Sequence, residues 1–143
     1  MLQYQALFEP APEGGYVVTF PDFDWGITQG DTEEEAYAMA ADAFRMVIAH
    51  YMSEGKALPV PKKHRGRFYR TIRLPALIAA KAALYTAFRQ SGMRKAELAR
   101  ALGIPRMNVD RLFDPKRHSR LDQMEAALRA LGKELDVTIR DAA

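Results

Sequence analysis

The stretch from Arg94 to Phe113 constrains this chain most. Leu98 and Ala99 are followed, four residues after the alanine, by Gly103, and then by Ile104, Val109 and Leu112. The spacing predicts two short helices, over residues 94–102 and 105–113. Helices that cross steeply need a small residue at the crossing, which Ala99 supplies. The turn between them needs a residue that accepts positive φ, which Gly103 supplies. Pro105 stands where the second helix opens, and its missing N–H costs nothing there. Leu98, Leu102, Val109 and Leu112 then close one small core.

With Val109 and Leu112 turned inward, Arg106, Met107, Asp110 and Arg111 face outward, and Lys116, Arg117 and His118 follow at once. This is the spacing of a helix-turn-helix, which lays its second helix in the DNA major groove. On that reading Arg106 and Arg111 reach the bases with Met107 and Asp110 beside them, while Lys95, Lys116 and Arg117 hold phosphates. The alternative is a solvated charged face on an ordinary helical corner.

The net charge of +3 hides an asymmetry. Residues 1–60 carry ten acidic and two basic side chains, a net of −8, whereas residues 61–75 carry six basic side chains and no acidic one. Residues 76–143 carry thirteen basic and eight acidic side chains. The basic half suits a nucleic-acid backbone; the acidic half suits a basic protein, unless the two halves simply attract each other. A chain of 143 residues with 48% apolar content supports a real core, as one ordinary domain or two small ones. The absence of cysteine removes disulfides, thiolate metal sites and cysteine nucleophiles and fits a reducing cytoplasm. Met1-Leu2-Gln3-Tyr4 has no basic stretch before an apolar run, so no signal peptide is expected. No apolar run approaches the roughly 20 residues needed to span a bilayer.

In chain order, Leu2, Tyr4, Ala6 and Phe8 alternate with Gln3, Gln5, Leu7 and Glu9 and predict a strand, and residues 16–20 predict its hairpin partner. Residues 27–30 read as a short third strand. Thr32 and Glu35 have capping-box spacing before a helix whose apolar stripe is Ala36, Ala40, Phe44, Val47, Ile48 and Tyr51. Residues 56–66 read as a loop and residues 68–74 as a strand returning to the sheet. Pro75 opens a helix that runs to about Ser91, with Leu77, Leu84 and Phe88 on one stripe. After the corner, Ser119 and Asp122 mark a helix start, and Leu135, Val137 and Ile139 alternate as a final strand. The expected fold is α+β: a sheet with one helix over residues 1–75, and a helical domain with a last short strand over residues 76–143. That strand has an unpaired edge, which invites pairing with a twin, so the second domain is expected to form a homodimer or a higher homo-oligomer.

Candidate chemistry is sparse. Asp22 and Asp24 form a carboxylate pair that would suit a divalent metal and phosphodiester hydrolysis, but aspartates also favour such turns for their own hydrogen bonds. His50, His64 and His118 lack partners at metal-ligand spacing. No phosphate loop or nucleophile elbow occurs, so no catalytic group, metal or cofactor is expected. Trp25, in the same turn as Phe23 and on a loop with acidic neighbours, has the character of an interface anchor, or else of a ring packed under the helix.

Residues 12–22, Pro-Glu-Gly-Gly-Tyr-Val-Val-Thr-Phe-Pro-Asp, together with Thr28-Gln29-Gly30-Asp31-Thr32 and Glu35-Ala36, closely resemble a HicB-type antitoxin. Residues 96–103 and 111–132 look like the helix-turn-helix version of that family. The resemblance implies a degenerate ribonuclease-H-like first domain that binds HicA, a small basic ribonuclease toxin, and covers its catalytic histidine. It implies a second domain that binds operator DNA of the shared operon as an oligomer. Asp22, Phe23, Asp24 and Trp25 are then the expected toxin contacts. Two other readings stay open: a nuclease using Asp22 and Asp24, and a DNA-binding regulator with a small-molecule sensor domain.

Overall fold

The computed structural model describes residues 2–142. Met1 and Ala143, at the ends of the expected 1–75 and 76–143 units, lie outside the described residues. The fold is α+β. Strands β1 (Tyr4–Pro10), β2 (Tyr16–Thr19), β3 (Ile27–Gly30) and β4 (Tyr69–Ile72) form one antiparallel sheet in the order β3-β2-β1-β4. Helix α1 (Glu33–Ser53) covers it, and α2 (Ala76–Ser91), α3 (Lys95–Leu102), α4 (Arg106–Leu112) and α5 (Leu121–Ala130) follow.

The period of two in β1 puts Tyr4, Ala6 and Phe8 on one face, where they meet Val18 and Ile72 from the neighbouring strands. The α1 stripe expected from the sequence closes over that face: Ala36, Ala40, Phe44, Val47, Ile48 and Tyr51 are all buried. Phe44 lies among the rings of Tyr4, Phe20 and Phe23 at centroid distances of 5.2–5.4 Å. The start of α1 follows the capping signal. The Thr32 hydroxyl accepts from the Glu35 N–H at 3.1 Å, and the Glu35 carboxylate accepts from the Asp31 N–H at 3.3 Å. Three consecutive glutamates, Glu33–Glu35, face the positive end of the helix.

At Gly30 the chain passes from β3 to α1 at close quarters. A Cβ there would lie 2.6 Å from Ala36 Cα and would also strike the Ala36 nitrogen. Only a residue without a side chain lets the helix begin so near the strand.

In the helical part, Leu98, Ala99, Val109 and Leu112 are buried, with Leu102 partly so, as the spacing predicts. Gly103 adopts φ 65° after α3, and the Ile104 N–H returns to the Ala99 carbonyl at 3.1 Å. Met124, Ala127 and Leu128 of α5 complete this core.

Two expectations are corrected here. The alternating segment Leu135–Ile139 forms no strand: among the described residues nothing after α5 pairs in a sheet. Only Leu135 packs on the core, while Val137 is 70% and Ile139 is 92% exposed. Alternation specifies a face but supplies no ladder partner, and this segment has none among the described residues. The last helix also starts later than Ser119. Its N-cap is Arg120, and the buried Ser119 hydroxyl has no partner among the described residues.

Candidate functional site

Two surfaces bear the residues singled out from the sequence. The first is the loop between β2 and β3. Its Phe23 ring turns inward against Tyr4, Phe44 and Tyr51, at 4.9, 5.4 and 5.1 Å. Asp22 turns inward as well, with a side chain only 1% exposed. Its carboxylate meets the His64 ring at 2.8 Å and accepts from the Lys62 N–H at 3.1 Å. Asp24 points to α1 instead. Its carboxylate accepts a short bond from the Tyr51 hydroxyl, and its N–H donates back to the same oxygen at 3.1 Å. That bond holds the Asp24 carboxyl below the ordinary carboxylate range, with Lys56 and His50 assisting against the effect of burial. Burial raises the Tyr51 phenol, and the bond to Asp24 adds to the rise. Trp25 stands edge-on to the His50 ring at 5.0 Å and is 42% exposed.

The loop therefore divides into anchors and a surface. Asp22 and Phe23 turn inward, Asp24 is tied to Tyr51 of α1 at the surface, and Trp25 is left partly exposed. The two carboxylates turn to partners 40 or more and 27 residues away rather than to a shared point. Among the described residues no three His, Cys, Asp or Glu side chains gather closely enough to hold a metal ion.

The second surface is the outer side of α4 and the turn after it. Arg106, Met107, Asp110 and Arg111 are exposed on α4, and Lys116 and Arg117 are exposed just beyond. Asp110 is tied to the first turn of α3 through Lys95, Nζ to Oδ1 at 2.7 Å. Both partners are partly exposed, so the pair contributes at most about 1 kcal/mol to stability and stays available for exchange with another charged group.

The two surfaces meet. A cleft of about 790 Å³ lies between them, with Trp25, Met46 and His50 on one wall and Lys95, Asp110 and Lys116 on the other. The α1–α2 junction behind it is held by main-chain acceptors: the Tyr85 hydroxyl donates to the Lys56 carbonyl at 2.7 Å, and the Arg89 guanidinium donates to the Gly55 carbonyl.

One residue of this region escaped the sequence reading. Lys81, on α2, is fully buried. Its ammonium donates to the carbonyls of Arg111, Asp114 and Arg117 at 2.9, 2.8 and 2.6 Å. Burial lowers its pKa, a shift that Asp114 opposes. The signal was present: Ile78, Lys81 and Tyr85 share one stripe at helical spacing, and a lysine on an apolar stripe asks for internal acceptors.

The first 60 residues carry a net charge of −8, and the outer side of α4 with the turn after it carries Arg106, Arg111, Lys116 and Arg117. Comparison with known proteins identifies the class. Residues 3–83 match the family model described as the HicB-like antitoxin of bacterial toxin-antitoxin systems. Antitoxin HicB of Escherichia coli (strain K12) is 36% identical over 138 residues, 96% of this chain and 99% of that protein. Antitoxin HicB of Pseudomonas fluorescens (strain Pf0-1) is 39% identical over 113 residues, 79% of this chain and 77% of that protein. A solved chain titled "Toxin-Antitoxin complex from Streptococcus pneumoniae" is 32% identical over 43% of this chain and 44% of its own, with a TM-score of 0.39, too low to bear on the fold. This chain belongs to the HicB-like antitoxin family and is an antitoxin of a toxin-antitoxin system. No helix among the described residues is long and apolar enough to cross a membrane.

Proposed function

We propose that this antitoxin works in the cytoplasm with two partners: it neutralises a small basic ribonuclease of the HicA type, and it represses its own operon by binding operator DNA. Residues 1–75 take the toxin and residues 76–143 the DNA. The protein acts by occupying a surface, not by hydrolysis.

The observation that carries the DNA half is the α3–Gly103–α4 corner. Val109 and Leu112 of α4 are buried, while Arg106, Met107, Asp110 and Arg111 are left on its outer side. A helix so placed and so charged is suited to a major groove as a helix-turn-helix, with Lys95, Lys116 and Arg117 beside it for phosphates. The toxin half is supported by the net charge of −8 on residues 1–60 and by the exposed Trp25 next to Asp24.

The test separates base reading from charge. Arg106→Ala is expected to cost ~1–3 kcal/mol on the operator and much less on a random duplex. Lys116→Ala is expected to weaken both alike and to flatten the salt dependence. Titrating each variant with both duplexes by fluorescence anisotropy checks this; equal losses on both DNAs for both variants would remove α4 as the reading helix.

One such corner reads few base pairs, so the operator-binding form is a dimer on paired half-sites. Leu135–Ile139 keeps its alternating pattern and has no ladder partner among the described residues, so in this reading it pairs with its twin. Deleting residues 133–143 is expected to yield a monomer with much weaker operator binding. Sedimentation of the truncated protein as a dimer would refute it.

A further inference from the structure

We infer that Lys81 is a positioning residue for the nucleic-acid face: an internal ammonium that sets the path of residues 111–117 and thereby aims Arg111, Lys116 and Arg117 outward. The inference rests on the DNA-binding reading above. The geometry behind it is unusual for a core position. Lys81 comes from α2, yet all three of its partners lie in the last turn of α4 and the turn that follows. Three carbonyl acceptors require three N–H donors, which only the protonated amine supplies. Its charge also sits near the C-terminal end of α4, where the helix carbonyls concentrate negative potential.

An apolar residue would fill this place at lower desolvation cost, since its neighbours Ile78, Ala82, Leu84 and Tyr85 are all buried. What the lysine adds is direction. The segment from Asp114 to His118 belongs to no helix or strand, and its own bonds are few: the Lys116 N–H to the Asp114 carboxylate at 3.0 Å, and the Arg117 N–H to the Asp114 carbonyl at 3.1 Å. With its carbonyls gathered inward around a single Nζ, the exposed side chains of Arg111, Lys116 and Arg117 are left on the outside. A charge that never reaches solvent thus organises three that do.

The experiment uses the full chain. Binding is measured on a duplex taken from immediately upstream of its own coding sequence, and amide exchange is followed residue by residue. Lys81→Met keeps the volume of the stem and removes the donors. It is expected to weaken duplex binding by about tenfold or more, comparable to losing one base-contacting arginine. Amide exchange should quicken in residues 113–118 and stay unchanged in α3 and α5. Lys81→Ala should behave alike and recover binding when propylammonium chloride, which matches the missing atoms, is added. Tetramethylammonium at equal concentration carries the charge without donors and should not restore it. The inference is overturned if the wild type binds and Lys81→Met binds equally well, if propylammonium restores no more than tetramethylammonium, or if exchange rises throughout the helical part, which makes Lys81 a general stabiliser. A wild type that ignores the duplex refutes the DNA-binding reading itself, and the positioning role falls with it.

Discussion

Replacing Gly30 by alanine is expected to destabilise the chain by about 3 kcal/mol or more, the upper end of the cost of forcing atoms into a filled space. The added methyl would meet the Ala36 nitrogen and alpha carbon, which are backbone atoms and cannot rotate away as a flexible side chain can. Either β3 must separate from the start of α1 or the first turn of the helix must unwind, and unwinding breaks the Thr32–Glu35 cap. A urea titration followed by far-ultraviolet circular dichroism reads the loss directly. Gly92→Ala is the control: no atom lies within 4 Å of a methyl there, so its cost is limited to the left-handed φ of 71°. Equal midpoints for Gly30→Ala and the wild type would show that the strand–helix approach is not tight in solution.

The second large effect is expected at Trp25. Within the proposed toxin surface it is the aromatic side chain that remains substantially exposed, since Phe23 is absorbed by the core. Trp25→Ala is expected to weaken toxin binding by ~2 kcal/mol or more, appearing mainly as a faster off-rate. Because Trp25 is 42% exposed and stands against the His50 ring outside the buried core, the fold should survive the change, and an unaltered melting temperature would confirm that. Asp24→Asn should act differently, lowering the on-rate at low salt, with the difference fading as salt screens exposed charges. Asp22 is unsuited to that comparison, because its carboxylate meets the His64 ring and the Lys62 N–H, whereas the Asp24 bond is accepted from the Tyr51 hydroxyl and an asparagine carbonyl oxygen can still accept it. Surface-bound toxin and the full-length variants suffice to measure both rates. An unchanged off-rate for Trp25→Ala would place the toxin contact elsewhere.

What could be read in advance followed from local rules. The alternation of Tyr4, Ala6 and Phe8, the Thr32–Glu35 cap, the α1 stripe and the Gly103 corner each depend on neighbours within a few residues, and each stands in the structure. What escaped depends on partners far along the chain. Nothing near Asp22 tells that its carboxylate is taken by a histidine 42 residues later, or that Phe23 joins a ring cluster while Trp25 does not. The Lys81 partners lie 30–36 residues away. The final strand failed for a related reason: a face was encoded in Leu135, Val137 and Ile139, but among the described residues no second strand meets it. The outward-facing residues of α4 were legible because a helix displays its outer side by period alone; which side chains of the β2–β3 loop turn inward was not, because a loop has no period.

The crossing from α1 to β4 has a consequence for how freely its sequence can drift. Among the described residues these five side chains from outside the segment bond to it: Tyr4 at the Pro59 carbonyl, Tyr85 at the Lys56 carbonyl, Arg89 at the Gly55 carbonyl, Asp22 at the Lys62 N–H and Gln5 at the His64 N–H. Every one of them grips the main chain, which is the same whatever residue supplies it. Apart from Gly55, whose φ of 68° lies in the left-handed region, the buried Leu58 and the His64 ring, the letters of residues 55–64 are therefore nearly free to change while the route they trace is held, and a substitution scan would find most intolerant positions not in the loop but in the five residues that hold it.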